Sequence, residues 1–361
     1  MNKIIFFTKY TEKGPSSRYR SYQYKDFFED NYKLEYYPLF NDEYIYNLYT
    51  NKRKKYFQIL LAYFKRIIQV LKFIGTKNII FIEYEFLPYF PPILEYLLKI
   101  SKVKIIIDYD DAIFHNYDLN KSKIVRYFFK NKIPKIVKYS TLVITGSPYL
   151  TNYLSKFTNS IVEIPTSINF SKYKSNFKIK NTNDYITIGW IGSTSTSKNI
   201  INIKEVIVKI NIIYPKVKFK FMGFDDNLKE QINISNVQFC NWSVEEEFNF
   251  LSSIDLGIMP LDLNPFNQGK CGFKLIQYMA MGKPTLSTPL EANIKINRNN
   301  YNLFATSTDE WFEKIIEFKN NLNYYKNVGL RNKGIIEKFY SIETNSIYYI
   351  KIFNQLFDVR N

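Results

Sequence analysis

In the first half of the chain, short apolar runs rich in Ile, Val, Phe and Tyr alternate with longer stretches of helical period. The runs are 4–7, 34–37, 78–82, 103–108, 142–145 and 161–164, and a second series follows at 186–191, 217–222, 237–239, 256–259 and 285–287. Strand-length runs that alternate with helices read as βα units around a mostly parallel sheet. Two series predict two sheets. Between them the polar, Lys- and Asn-rich stretch 171–184 lacks an apolar period and reads as the linker. Beyond Thr308 the pattern is helical, over 309–320, 324–339 and 342–357. These helices either pack on the second sheet or cross back to the first. The expected organisation is α/β, with one Rossmann-like domain over 1–172, a second over 173–340 and a C-terminal helix over 341–361.

The length agrees, since 361 residues exceed the size at which one core stops growing. Only two cysteines, Cys240 and Cys271, are present, which excludes a disulfide framework and fits a reducing cytosol. The N-terminus lacks the pattern of an export signal, and no run of about 18 apolar residues escapes interruption by Lys or Arg. The expected location is therefore cytoplasmic. A net charge of +17 implies polyanionic surroundings: nucleic acid, an anionic membrane or phosphate-bearing substrates. Charge alone does not choose among them, and no RNA- or DNA-binding motif supports the first.

In doubly wound sheets ligands bind beyond the carboxyl ends of strands, so chemistry is sought there. After the first strand, Gly14-Pro15-Ser16-Ser17-Arg18-Tyr19-Arg20 leads into a helix. Arg18 and Arg20 on its first turn oppose the helix dipole, which a bound anion would explain; the alternative is a solvated helix start. The fourth strand ends in Asp108-Tyr109-Asp110-Asp111. These carboxylates can act as a base, hold a sugar hydroxyl or bind a metal, or one caps a helix while the others face water. His115, the only histidine, is near enough in sequence to share that site.

The second series opens on Gly189-Trp190-Ile191-Gly192-Ser193-Thr194-Ser195-Thr196-Ser197-Lys198, a strand running into a turn rich in Gly and hydroxyls. Backbone N–H groups, Ser193, Thr196 and Lys198 would face an anion there. Neither the Walker spacing nor the dinucleotide fingerprint is present. A further segment runs through Asp255-Leu256-Gly257-Ile258-Met259-Pro260 and Gly269-Lys270-Cys271-Gly272-Phe273-Lys274-Leu275 to Gln277-Tyr278-Met279-Ala280. Lys270 and Lys274 are four apart, so a helix that begins early would carry both cations on one face of its first turn. Gln277 lies within one turn of Lys274.

With Ser17-Arg18-Tyr19-Arg20, Asp108-Tyr109-Asp110-Asp111 and Ile188-Gly189-Trp190-Ile191-Gly192, these motifs resemble the family-4 glycosyltransferases of bacterial surface polysaccharide synthesis, capsule and lipopolysaccharide among them. The resemblance implies a GT-B fold, two Rossmann-like domains facing across a cleft. It implies a nucleotide-diphosphate sugar as co-substrate with no other cofactor and no obligatory metal, a glycan or lipid-linked saccharide acceptor, and retention of anomeric configuration. Lys198, Lys270 and Lys274 would meet the diphosphate, with Arg18, Gly192, Ser193 and Thr196 completing the donor site. Asp110 falls where many relatives carry a strand-end histidine, with Asp111 beside it, and the two are the catalytic candidates. Family members carry a pair of glutamates two helical turns apart on the donor; here Gly269 and Gln277 stand in those places, and Gln277 retains the capacity to bond a ribose hydroxyl.

The missing pair leaves a second reading, a glycosyltransferase-like chain that binds without catalysing. A basic run, Lys52-Arg53-Lys54-Lys55, precedes the amphipathic, aromatic segment 56–73, which can lie on an anionic bilayer or pack on the first sheet.

Overall fold

The computed structural model describes residues 1–49, 56–175 and 185–358. Lys52, Arg53, Lys54 and Lys55 and most of the expected linker lie outside them. The chain divides into two compact units, one of Met1–Ser167, Gln268–Cys271 and Ile342–Asn361, the other of Ile168–Asn267 and Gly272–Ser341.

The first unit holds a six-stranded parallel sheet: β1 (Lys3–Thr8), β2 (Lys33–Pro38), β3 (Ile79–Glu83), β4 (Lys104–Tyr109), β5 (Leu142–Thr145) and β6 (Ile161–Glu163), in the order β2-β1-β3-β4-β5-β6. Its central strands are unbroken apolar runs because both faces are covered. Ile5, Phe7, Ile80, Ile82, Ile105 and Ile107 point into one core with Val70 and Leu98. The alternate residues Ile4, Phe6, Ile79, Phe81 and Ile106 point into the other, with Phe28, Tyr349 and Phe353. The last two come from the C-terminal helix Ile342–Asp358, which completes this unit, and Phe353 meets the Phe28 ring edge-on at 5.1 Å.

The second unit holds β7 (Ile186–Ile191), β8 (Val217–Met222), β9 (Val237–Cys240), β10 (Leu256–Met259), β11 (Thr285–Ser287) and β12 (Leu303–Phe304), again parallel, in the order β12-β11-β10-β7-β8-β9. β12 was not among the expected strands because two residues carry no period. This unit begins ahead of the boundary expected at residue 172. Phe170 and Tyr173 are apolar anchors buried with Phe250 and Met279 of the second unit, so the start of the polar stretch is already core.

Strand order reverses between β1 and β3 in the first sheet and between β7 and β10 in the second. Those two switch points are where the loops part and leave room at the carboxyl ends.

Candidate functional site

In the first unit, the strand-end acids separate into three environments. Asp108 is fully buried and forked by Arg20, whose Nη2 reaches Oδ1 at 2.5 Å and whose Nε reaches Oδ2 at 2.9 Å. Arg20 Nη1 also donates to the Ile164 carbonyl at 2.8 Å. Burial pushes the Asp108 carboxyl up and the guanidinium opposes it. The anion that Arg20 calls for is therefore an internal carboxylate, and an exogenous one is not needed. Arg18 differs: its side chain is half-buried, its guanidinium carbon stands 4.8 Å from the Tyr19 ring centroid, and its Nε is buried without a partner.

Asp110 accepts from the Tyr84 hydroxyl, which also lies 3.2 Å from Ser16 Oγ. Burial first, then Asp110, drives the Tyr84 phenol well above its ordinary range, so it stays a donor. Asp111 is bonded by Lys270, whose Nζ lies 2.9 Å from each of its oxygens. Lys270 arrives on the segment Gln268–Cys271, which packs in the first unit although its neighbours in sequence belong to the second. Cys271 Sγ donates to the Asp110 carbonyl at 2.9 Å, and Ser147 Oγ to the Gly269 carbonyl at 3.4 Å. The expectation that Lys270 and Lys274 share a helix face is overturned: the helix runs Phe273–Ala280, behind Gly272, so Lys270 lies in the preceding loop.

Gly269 is close-packed. A Cβ there would stand 2.4 Å from Ala112 Cβ and 2.8 Å from Ala112 N, nearer than side chains ever sit. Position 269 is therefore closed by contact with Ala112, with no room for a side chain. His115 does not join the acids: its Nδ1 lies 2.8 Å from Asp118 and its Nε2 2.9 Å from the Tyr149 hydroxyl.

Glu83, which the sequence did not single out, occupies the switch point of the first sheet. It ends β3, and its Oε2 accepts from Ser17 Oγ at 2.6 Å and from the Lys9 amide just beyond β1 at 3.0 Å. Its Oε1 is buried with no partner. Burial, with Asp110 adding repulsion, pushes its carboxyl up to about 7. The only signal in the sequence was an acid directly following four apolar residues of a central strand.

In the second unit, the turn after β7 is bonded within itself. Ser193 N donates to Thr196 Oγ1 at 3.2 Å, and Thr196 Oγ1 donates back to the Ser193 carbonyl at 2.9 Å. Gly192 N is taken by the Met222 carbonyl at 3.0 Å. Lys198 is exposed at the start of the next short helix. The helix Phe273–Ala280 is tied to the switch point by Tyr278, whose hydroxyl accepts from Ile191 N at 3.0 Å and donates to the Ile258 carbonyl at 3.2 Å. That anchors Lys274 in the first turn, with Nζ 5.7 Å from the Trp190 ring centroid. The first turn carries no acidic residue, so nothing on the helix itself opposes an anion there.

Gln277 is buried, and its Nε2 donates to Glu247 Oε1 at 2.9 Å. Trp242 Nε1 donates to the other Glu247 oxygen at 3.2 Å. The amide expected to be available for a ribose is thus tied to a carboxylate that nothing in the sequence singles out, the third of a surface-looking Glu245-Glu246-Glu247 run. Among the described residues no three His, Cys, Asp or Glu side chains are grouped to hold a metal ion.

This architecture is shared with solved structures. The chain superposes on a glycosyltransferase from Rickettsia africae with a TM-score of 0.72 at 13% identity, covering 99% of this chain and 100% of the other. HepE of Anabaena, solved in complex with UDP-glucose, matches with a TM-score of 0.69 at 12% identity over 98% of this chain and 100% of that one. The chain has the GT-B fold. Residues 185–321 match the family model described as glycosyl transferases group 1. A Bacillus subtilis glycosyltransferase assigned to teichuronic acid biosynthesis is 28% identical over 119 residues, which span 31% of this chain and 29% of that protein. The chain resembles glycosyltransferases of bacterial surface polysaccharides, and the matched family region contains both the turn at Gly192 and the helix that carries Lys274.

Proposed function

We propose that the chain transfers a sugar from a nucleoside-diphosphate sugar to a hydroxyl of a glycan or lipid-linked saccharide in surface polysaccharide synthesis. The observation that carries this reading is the group 1 family match over 185–321, which holds the switch point of the second sheet and Lys274. The acceptor oxygen forms a bond to the anomeric carbon while the carbon–oxygen bond to the diphosphate breaks, and the acceptor's proton leaves with the diphosphate. Charge builds on the leaving group, so preorganised donors are what accelerate the step. Lys274 at its helix N-terminus and Lys198 are the groups of the second unit assigned to that charge, in place of a metal, since the N–H groups of Gly192 and Ser193 are already bonded within the fold. Gln277 reaches a ribose in this reading only by giving up its bond to Glu247. Retention of configuration belongs to the same reading, by analogy with the family, and Asp110 then orients the acceptor.

UDP-glucose bound to HepE makes UDP sugars the first donors to test. Thermal shift against UDP, GDP, CMP and dTDP sugars is expected to show stabilisation by one donor class, lost in Lys274→Ala. No shift with any donor in folded protein would refute the donor site.

A second reading, a binding protein without transfer, draws on Gly269, whose tight packing leaves no place for a donor-contacting side chain. Hydrolysis or transfer of the stabilising donor by the purified chain would exclude it.

The same proposal places the first unit on an anionic membrane. No helix among the described residues is long and apolar enough to cross one, but Tyr56–Leu71 exposes Phe57, Leu60 and Phe64 by 70%, 66% and 63%. Loss of co-sedimentation with phosphatidylglycerol vesicles in Phe57→Ser/Leu60→Ser is the expected result; unchanged binding would refute it.

A further inference from the structure

The second unit contains an open cavity of about 650 Å³ that shares no lining residue with the turn at Gly192 or the helix that carries Lys274. It is lined by Asn300, Tyr301 and Asn302, which lead into β12, and by Lys314, Glu317 and Tyr324 from the two helices that follow. The three residues stand at the amino end of an edge strand, whereas Gly192 and Pro260 follow the carboxyl ends of β7 and β10. In a parallel sheet these are opposite ends, so the cavity is separate from the switch point.

Its walls are fixed. Asn302 N donates to Asn297 Oδ1 at 3.1 Å, and the Asn302 amide donates to Asn332 Oδ1 at 3.0 Å, so the turn before β12 is held by a buried amide network. Asn321 Nδ2 donates to the Glu317 carbonyl at 2.8 Å, and the Tyr325 hydroxyl donates to Glu317 Oε1. A site whose polar groups are already ordered loses little on binding. Tyr324 sits edge-on to Tyr325 with half of its surface exposed, and Tyr301 is half-buried beside the Arg331 guanidinium.

Charge decides the class of ligand. The lining has one cation, Lys314, and one anion, Glu317, and they pair at 2.7 Å. In a chain of net charge +17 the lining side chains therefore sum to zero, the Arg331 guanidinium beside Tyr301 standing outside the lining. Aromatic faces attract the polarised C–H groups of a sugar ring, and amide, carboxylate and phenol groups match its hydroxyls in both donor and acceptor senses. The volume lies in the range of small-molecule sites, about 300–1,000 Å³.

We propose that this cavity binds a neutral oligosaccharide segment, with the Tyr324 ring as its stacking platform. It is a binding subsite outside the transfer chemistry, where a glycan chain is held while its end is elsewhere. The inference does not rest on donor binding: its failure leaves Lys274-dependent stabilisation by nucleotide sugars untouched.

The test is saturation-transfer NMR on the full chain with maltotriose, cellotriose and chitotriose as probes and UMP as the nucleotide probe. Transfer to at least one oligosaccharide is expected, with affinity about fivefold weaker in Tyr324→Ala through loss of the ring contact. It should be retained in Tyr324→Phe and in Lys274→Ala, with unchanged melting temperatures marking all three variants as folded. Oligosaccharide transfer that ignores Tyr324→Ala, no oligosaccharide transfer at all, or Tyr324-dependent transfer to UMP alone would each overturn the proposal.

Discussion

Lys270 Nζ lies 2.9 Å from both carboxylate oxygens of Asp111, and the two side chains are 28% and 27% exposed. A cation and an anion assigned by sequence to separate duties are bonded to each other. Their separation from the dipole of the helix Phe273–Ala280 leaves Lys274 as that helix's own first-turn cation.

A double-mutant cycle on Lys270→Met and Asp111→Asn is expected to give a coupling of about 1 kcal/mol, the upper part of the range for a partly exposed pair. Urea denaturation of the four proteins measures it. Additive effects would show that the pair contributes nothing to folding.

A glutamate at position 269 is not expected to be tolerated. Gly269→Glu places a Cβ 2.4 Å from Ala112 Cβ, and even Gly269→Ala is expected to cost about 1–3 kcal/mol by overpacking. Equilibrium unfolding of Gly269→Ala checks this; full stability would mean that the loop yields.

Arg20→Ala leaves the Asp108 carboxylate unpaired in the interior. The expected loss is about 3–5 kcal/mol, with partial recovery in Arg20→Ala/Asp108→Asn because the stranded charge is gone. The comparison of the two melting temperatures is the readout, and a double variant as unstable as the single one would contradict the assignment.

Glu83 makes a pH prediction. Its folded value, about 7, lies above the ordinary glutamate value of 4.5, so the folded chain holds more protons than the unfolded one between these pH values. Stability therefore falls as pH rises through that window and is flat above it. The Ser17 hydroxyl, the Lys9 amide and the Lys9 charge oppose the shift, while Asp110 reinforces it. Glu83→Gln, which keeps the shape of the protonated acid, is expected to match the parent near pH 5 and to exceed it near pH 8 by on the order of 3 kcal/mol. Equal pH slopes in the two proteins would show that Glu83 is ionised throughout.

The strands were legible because a parallel sheet covered on both faces demands continuous apolar runs, and runs such as 79–82 and 105–107 are bounded by polar residues. β12 was not, since two residues between an asparagine turn and a loop leave no period. The position of a candidate was legible where the residue type is at odds with its local setting, as for Lys274 on a helix's first turn. It was not where the partner comes from far along the chain: nothing near Arg20 announces Asp108, nothing near Asp111 announces Lys270, and Glu247 reads as one of three solvated acids until Gln277 folds against it. Gly269 is the subtlest case. A missing side chain looks like a lost function in sequence, whereas in the structure it is the condition for contact with Ala112.

The helix Ile342–Asp358 seats Tyr349 and Phe353 in the core beneath β1 and β3. During synthesis, every residue of the second unit is translated before that helix, whereas the sheet of the first, though translated earlier still, keeps one hydrophobic face uncovered until the helix arrives. The half of the protein made first is therefore the half finished last, and until its closing helix emerges the nascent chain exposes an aromatic surface to whatever chaperones attend it.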